Sequence, residues 1–304
     1  MIDSMEEKNL KNYGHEMQEF LIRFVTTEFQ NEKPNSLYHY TDSKGLHGIL
    51  SNSTIWLTSF KFMNDSRELK HGLKTLKEIF IQRLSEQKYD SSFKKLCDVI
   101  FDYIEKDCDS PKATPYVFSL SKKRDHLSQW RGYGDFGRGF SIKFDVENLS
   151  LLRKNQIFLC QVHYDPSLVE TLMVEMIDEW FKLAHKIADE NANFIENNHA
   201  QDLALLFIQT AYALSITVKH PGFEEEEEWR LITFLDNGNR DLKYRAHRFG
   251  VADYTEVPFD SLKFITEIMS GPIGPDLSYL KSSISSLLNS SIAIAFEKSE
   301  IPFV

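Results

Sequence analysis

Cysteine is scarce: the 304 residues hold three, Cys97, Cys108 and Cys160, and no two form a C-x-x-C pair. Neither a disulfide framework nor a thiolate zinc site is therefore expected, and reduced thiols in a cytoplasmic protein are the simplest reading. A long apolar run is missing as well. With no stretch of about 18 apolar residues, no transmembrane helix is expected and no membrane partner is implied. The opening M-I-D-S-M-E-E-K is acidic and polar, unlike a signal peptide. Positive charge is also short: the net charge of -10 at pH 7 disfavours capture of extended nucleic acid, which needs a basic surface, although a local basic groove would still permit it. There is no P-loop, no G-x-S-x-G and no H-E-x-x-H. Internal repeats, low-complexity tracts and Pro/Ser-rich linkers are absent too, so one domain is expected over two.

What is there belongs to a folded interior. An apolar fraction of 42% with 26% charged residues is that of a globular chain, and 23 Phe with 12 Tyr argue against disorder. Apolar spacing predicts a helix over 5–30, and Asn31 to Asn35 with Pro34 break it. A strand over 37–40 leads through Thr41-Asp42-Ser43 into a short helix with Leu46, Ile49 and Leu50 inward. Another strand covers 54–58. Asn64 or Asp65 is placed to cap a helix carrying Leu69, Leu73, Leu76 and Phe80, and a further helix spans 92–106. A strand is expected over 156–164, then two helices over about 167–191 and 201–217. Strands follow at 226–234, 242–249, 254–259, 264–269 and 292–297, with a helix near 276–288. Helices and strands mix without regular alternation, which predicts an α+β fold with a helical insertion near 166–218.

The stretch Tyr116 to Asp145 reads as a strand, a short polar helix, a glycine-rich turn and a second strand. Its helix carries Gln129, Trp130, Arg131 and Tyr133, large hydrogen-bonding or stacking groups on a segment too short to need them for packing. Gly132, Gly134, Gly137 and Gly139 allow sharp turning and close approach of a ligand or another backbone. One wall of a small-molecule pocket is the resulting expectation. The literal G-x-G-x-x-G at 132–137 follows a helix and leads into a strand, the reverse of a dinucleotide fingerprint, and Asp135-Phe136-Gly137 lacks the companion kinase motifs; both are chance matches.

Three further groups invite a functional reading beside a structural one. His39, between Tyr38 and Tyr40 and followed by Thr41, either caps the next helix or holds a polar ligand such as a ribose at a strand end. The acidic run Glu224 to Glu228 begins as a solvated loop. Where it enters the strand, alternation puts Glu226, Glu228 and Arg230 on one face. Arg230 offers a partner to the carboxylates, and two neighbouring carboxylates raise each other's pKa, a route to a general acid or base. Arg67 sits at a helix start and either completes ordinary first-turn chemistry or reaches a phosphate.

Taken together, L-Y-H-Y-T (37–41), I-W-L-T-S-F-K-F-M-N-D-S-R-E (55–68), the block from F-S-L-S through S-Q-W-R-G-Y-G-D-F-G-R-G-F-S-I-K-F-D, and E-x-E-W-R-L (226–231) resemble a bacterial family, domain of unknown function 2971. That family name conveys no activity. A second resemblance is more informative. The strand-borne His39 with its following Tyr40 and Thr41, an aromatic in the middle and a late Glu look like the H–Y–E pattern of ADP-ribosyltransferases, and the opening block looks like the start of DarT-type toxins. This likeness implies an ADP-ribosyltransferase-like mixed-sheet core that takes NAD as substrate, a macromolecular acceptor or water, and a role as a toxin or phage-defence effector. It implies that His39 bonds the NAD ribose and amide with Thr41 beside it. Tyr133 or Trp130 would stack on nicotinamide, and Glu228 or Glu226 would stabilise the oxocarbenium ion. A metal-independent RNA nuclease using His39, Arg131, Tyr133 and Glu228, and a non-catalytic nucleotide-binding module, are the alternatives.

Overall fold

Asp42 decides how the first strand ends. In the computed structural model, which describes residues 19–20, 34–63, 66–86, 91–107, 113–190, 199–236, 241–247, 250–288 and 294–302, β1 (Ser36–Thr41) stops there. The Asp42 carboxylate accepts the Gly45 backbone N–H at 2.7 Å and opens α1 (Ser43–Asn52). Leu46, Ile49 and Leu50 are its buried stripe, as their spacing predicts. Ser53, in the left-handed region, closes the helix and returns the chain as β2 (Thr54–Ser59).

The remaining elements follow as α2 (Ser66–Ser85), α3 (Ser91–Asp107), β3 (Ala113–Ser121), α4 (Leu127–Gly132), β4 (Phe140–Asp145) and α5 (Val146–Leu151). Then come β5 (Phe158–Gln161), α6 (Pro166–Glu190), α7 (His199–Ser215), β6 (Glu228–Asp236), β7 (Lys243–His247) and β8 (Gly250–Pro258). The chain closes with α8 (Ser261–Phe264), β9 (Ile265–Ser270), α9 (Leu277–Leu288) and β10 (Ala295–Lys298). The fold is α+β. Ten strands among the described residues make one mixed sheet, in which β9 and β10 pair in parallel and the other ladders are antiparallel.

The long strand β3 organises that sheet. Along one edge it pairs over its whole length with β6, from Ala113↔Asp236 to Ser121↔Glu228. Along the other edge two strands share it: β1 meets it at Tyr38↔Ser121, and β2 at Thr58↔Val117 and Ser59↔Tyr116. Phe118, Ser119 and Leu120 lie between these pairing points. β1 carries β4, β9 and β10 away on one wing; β2 carries β8 and β7 on the other. The sheet is thus split beside the middle of β3, with α1 joining the two lips.

Two apolar cores flank this arrangement. One unites α1, α5 and α9 with Leu37, Leu57, Phe118, Ile142, Phe144 and Leu231 of the sheet. The other is helical. The expected 166–218 insertion is present as α6 and α7, but it does not stand apart, because Trp180, Phe181 and Phe207 pack with Phe80 of α2 and Phe93 of α3. Phe80 meets Phe207 edge-on with ring centroids 5.0 Å apart, a geometry that adds to the roughly 1.5–3 kcal/mol from burying each such ring. Ala213 and Ile216, at and just past the end of α7, close onto Val117 and Ile232 of the sheet.

Several expected boundaries move. Strand 156–164 shrinks to Phe158–Gln161 because Gln156 adopts a left-handed conformation (φ 58°) at the end of the preceding helical turn. The helix α5 was not legible as one, yet Asp145 caps it through the Asn148 N–H at 2.8 Å. The strand expected from 226 begins at Glu228, because Glu224 to Glu226 end a 3-10 helix and Glu227 is left-handed (φ 40°). The N-terminal helix over 5–30 lies outside the described residues apart from Glu19 and Phe20, and the capping pair Asn64 and Asp65 lies outside them entirely.

Candidate functional site

A cavity of about 890 Å³ opens in the split of the sheet. Residues 38–42 of β1 and its end form one lip, Thr54, Trp56 and Thr58 of β2 the other, and Val117 to Ser121 of β3 the floor. Lys44, Gly45 and Gly48 of α1 wall one side. Tyr133, Lys219, Glu226 and Glu228 wall another, and Arg245 and His247 of β7 the far end. The volume lies in the range of small-molecule and cofactor pockets.

His39 sits where strand register brings it to the gap. Its ring stacks on Phe118 at 4.2 Å, and Nδ1 is 2.9 Å from the Ser119 carbonyl. A carbonyl accepts only, so Nδ1 carries the proton and Nε2 of the neutral ring is an acceptor. Burial lowers its pKa to about 4, against the opposing pull of the Ser119 carbonyl, so the imidazole is neutral at pH 7. Thr41 follows on the same face, seated against α1 where a Cβ on residue 45 would collide with its hydroxyl. Glycine at 45 is what lets the Thr41 hydroxyl lie there.

The carboxylates come from the opposite direction. Register puts Ser119, Ser121, Glu228 and Arg230 on the other face of β3 and β6 from Phe118 and Leu120. The i, i+2 spacing on β6 produces a two-pronged ion pair. Arg230 Nε donates to Glu228 Oε1 at 2.8 Å and Nη2 to Oε2 at 2.9 Å, with Nη1 donating to the Ile216 carbonyl. Arg230 is fully buried. Lys219 completes the cluster, its Nζ 2.7 Å from Glu226 Oε2 and 3.2 Å from Glu228 Oε2. Tyr133 donates to Glu226 Oε1 at 3.1 Å.

This cluster corrects the expected pKa logic. Burial does push Glu228 up, but Arg230 and Lys219 outweigh it and hold the carboxyl at about 2. Burial likewise opposes charge on Lys219, and Glu228 and Glu226 raise its pKa nonetheless. Glu226, Glu228, Lys219 and Arg230 form one ion-pair cluster, in which the first three line the cavity and Arg230 is buried behind them. Glu226 reaches it through the left-handed Glu227 and through Lys219, because it precedes the strand whose alternation was expected to align it.

Of the residues singled out from sequence, His39, Thr41, Tyr133, Glu226 and Glu228 line the cavity. Trp130 does not. It is fully buried beneath the β1 lip, edge-on to Tyr40 with centroids 4.8 Å apart, and its indole N–H donates to Asp125 Oδ1 at 2.6 Å. In this packing the ring is closed off from the cavity, where a stacking ring was expected. Tyr40 borders the cavity, but strand alternation sends its ring to that same Trp130 side, where its hydroxyl donates to the Lys123 carbonyl at 2.9 Å. Arg131 is exposed on α4 and is not among the lining residues. Arg67 falls within α2, and its side chain lies outside the described residues.

Lys219, Arg245, His247 and Trp56 were missed. Lys219 arrives because the backbone after α7 runs beside His163, whose N–H donates to the Thr217 carbonyl at 2.7 Å and whose carbonyl accepts the Lys219 N–H at 2.9 Å. No spacing in the sequence signals that pairing. Among the described residues no His/Cys/Asp/Glu group suited to a metal ion occurs, and no described helix is long and apolar enough to cross a membrane.

Neither curated proteins nor solved structures gave a match to the chain. Residues 129–231, a segment that holds Tyr133, Lys219, Glu226 and Glu228 of the cavity wall, match the family described as Protein of unknown function (DUF2971), which bears out the resemblance carried by the Q-W-R-G and E-W-R-L motifs.

Proposed function

We propose that the cavity takes NAD and that the protein breaks its N-glycosidic bond, passing ADP-ribose to a macromolecular acceptor or to water. One observation carries this reading: a neutral imidazole whose Nε2 is an acceptor, the ionised Glu228 and the carboxyl group of Glu226 line one hollow of about 890 Å³. In the step proposed, the bond between ribose C1′ and the nicotinamide ring nitrogen breaks and its electron pair leaves with nicotinamide. The positive charge left on the ribose is met by a fixed carboxylate. The acceptor then bonds C1′ and gives up its proton.

Glu226 is the better candidate for that carboxylate. Both oxygens of Glu228 are engaged by Arg230, so Glu228 serves to hold Lys219 and Arg230 in place. Glu226 has Tyr133 and Lys219 as partners and borders the cavity. His39 Nε2 would accept from a ribose hydroxyl or the nicotinamide amide, with Thr41 alongside.

The test is incubation of the protein with NAD labelled in nicotinamide. Release is expected from the native protein, with Glu226→Gln slower by about 100- to 1000-fold, the usual cost of losing one pre-positioned electrostatic group. No release where a known transferase succeeds, or equal release from Glu226→Gln, overturns the reading. The complete pairing of Glu228 favours a second reading, a nucleotide-binding module without turnover. Calorimetric binding of NAD with no nicotinamide released would select it.

A further inference from the structure

The far end of the cavity has the opposite character from the carboxylate wall. Strand register puts Thr54, Trp56 and Thr58 of β2, Tyr254 and Glu256 of β8, and Lys243, Arg245 and His247 of β7 on one face of the sheet. Thr54, Trp56, Thr58, Arg245 and His247 all line the cavity. Lys243 is neutralised by Glu256 at 2.7 Å. Arg245 has no such carboxylate: among the described residues its hydrogen bond is from Nη2 to the Thr58 hydroxyl at 3.0 Å. Its Nε is buried with no hydrogen-bond partner. So are Trp56 Nε1 and Thr54 Oγ1. The Trp56 ring is held against Tyr254, centroids 4.5 Å apart.

Guanidinium and indole N–H groups donate and never accept. A buried donor left unmatched is costly, and such groups in native proteins have partners. Among the described residues these donors lack an acceptor, and beside a guanidinium with no carboxylate partner an anionic oxygen is the acceptor that matches them. We propose that this end of the cavity is an oxyanion subsite that takes the phosphate groups of a nucleoside diphosphate through Arg245 Nε, Trp56 Nε1 and Thr54 Oγ1. The proposal rests on the nucleotide reading above and adds to it where the phosphates go. A planar guanidinium with its Nη2 already anchored on Thr58 is pre-oriented, so little side-chain freedom is lost on binding.

The test is calorimetric titration of the full chain with ADP, inorganic pyrophosphate and adenosine. ADP and pyrophosphate are expected to bind, and adenosine to bind much more weakly than ADP. Arg245→Gln is expected to weaken ADP and pyrophosphate by about 10- to 100-fold, as befits loss of a hydrogen bond to a charged group, and to leave adenosine unchanged. Trp56→Phe keeps an aromatic ring beside Tyr254 while removing the N–H together with the second ring of the indole; a several-fold loss for ADP is expected. Should Arg245→Gln fold poorly, Trp56→Phe decides alone. ADP affinity unchanged in the folded variant, adenosine binding as tightly as ADP, or no binding of any of the three overturns the subsite. NAD left uncleaved while ADP binding depends on Arg245 overturns only the enzymatic reading. Nicotinamide release with ADP affinity indifferent to Arg245 overturns only the subsite.

Discussion

The two ends of the cavity solve the same electrostatic problem differently. At the carboxylate wall each charge already has its partner: Glu228 takes Arg230 and Lys219, and Glu226 takes Lys219 and Tyr133. At the β2–β7 end Arg245 Nε and Trp56 Nε1 are buried with no acceptor among the described residues. The first end is assembled from pairings within the chain. The second, as proposed above, is completed by an anionic ligand. Preorganised charge suits the stabilisation of a developing cation, because no reorganisation is needed at the moment of reaction; unmatched donors suit recognition.

Breaking the paired end should have the largest effect. Glu228→Ala leaves Arg230 buried without its counter-charge, and a loss of about 3–5 kcal/mol in unfolding free energy is expected by urea denaturation. Trp130→Ala should cost a comparable amount, about 3–5 kcal/mol, by removing a fully buried ring together with its N–H bond to Asp125, which keeps Ser299 and the Glu300 N–H as donors. If calorimetry instead shows Trp130→Ala stable but weak in ligand binding, its burial beneath Tyr40 does not describe its role. Glu226→Gln should lower NAD cleavage as given above and also cost about 1–3 kcal/mol in the urea experiment, less than Glu228→Ala, because it leaves the buried Lys219 sharing Glu228 with Arg230.

Acid titration sharpens the contrast within the site. Folded His39 titrates near 4 against 6.5 in the open chain, so between these values the unfolded chain binds the additional proton and stability falls as pH drops from 6.5 to 4. His163, also lowered to about 4 by burial, adds to that window. Glu228, held at about 2 against 4.5, contributes fully above 4.5 and loses its contribution as pH falls from there towards 2. His39→Asn is expected to reduce the slope of unfolding free energy between pH 6.5 and 4 and leave the lower window intact; an unchanged upper slope would contradict the burial of this ring. The smallest effect belongs to Tyr133→Phe. The residue is an exposed one and its hydroxyl makes one 3.1 Å bond to Glu226, so about 1 kcal/mol of stability is at stake, read from the urea midpoint.

Much of the fold was legible where local chemistry is self-sufficient. Asp42 capping α1, the buried stripe of Leu46, Ile49 and Leu50, and the Glu228–Arg230 pair at i, i+2 all follow from neighbours within a few residues. The errors fall where a distant contact overrides the local pattern. Trp130 looked free to stack on a ligand because its ring partner Tyr40, ninety residues away, is revealed only when β1 lies over α4. Glu226 looked like a strand residue because nothing in an acidic run announces that Glu227 turns left-handed. Likewise α6 and α7 read as an insertion until α2 and α3 supplied the other half of their core.

By itself the sequence determined the α+β character, the helix starts and the faces on which His39, Thr41, Glu228 and Arg230 stand, because periodicity and capping are encoded within a turn or a strand. Only the tertiary structure decided that β1 and β2 part company along β3, that Lys219 is delivered between two carboxylates, and that Arg245 lines a cavity with no carboxylate partner among the described residues. Those outcomes depend on which strands share an edge, and pairing between residues some 80 to 190 positions apart leaves no periodic trace in the chain.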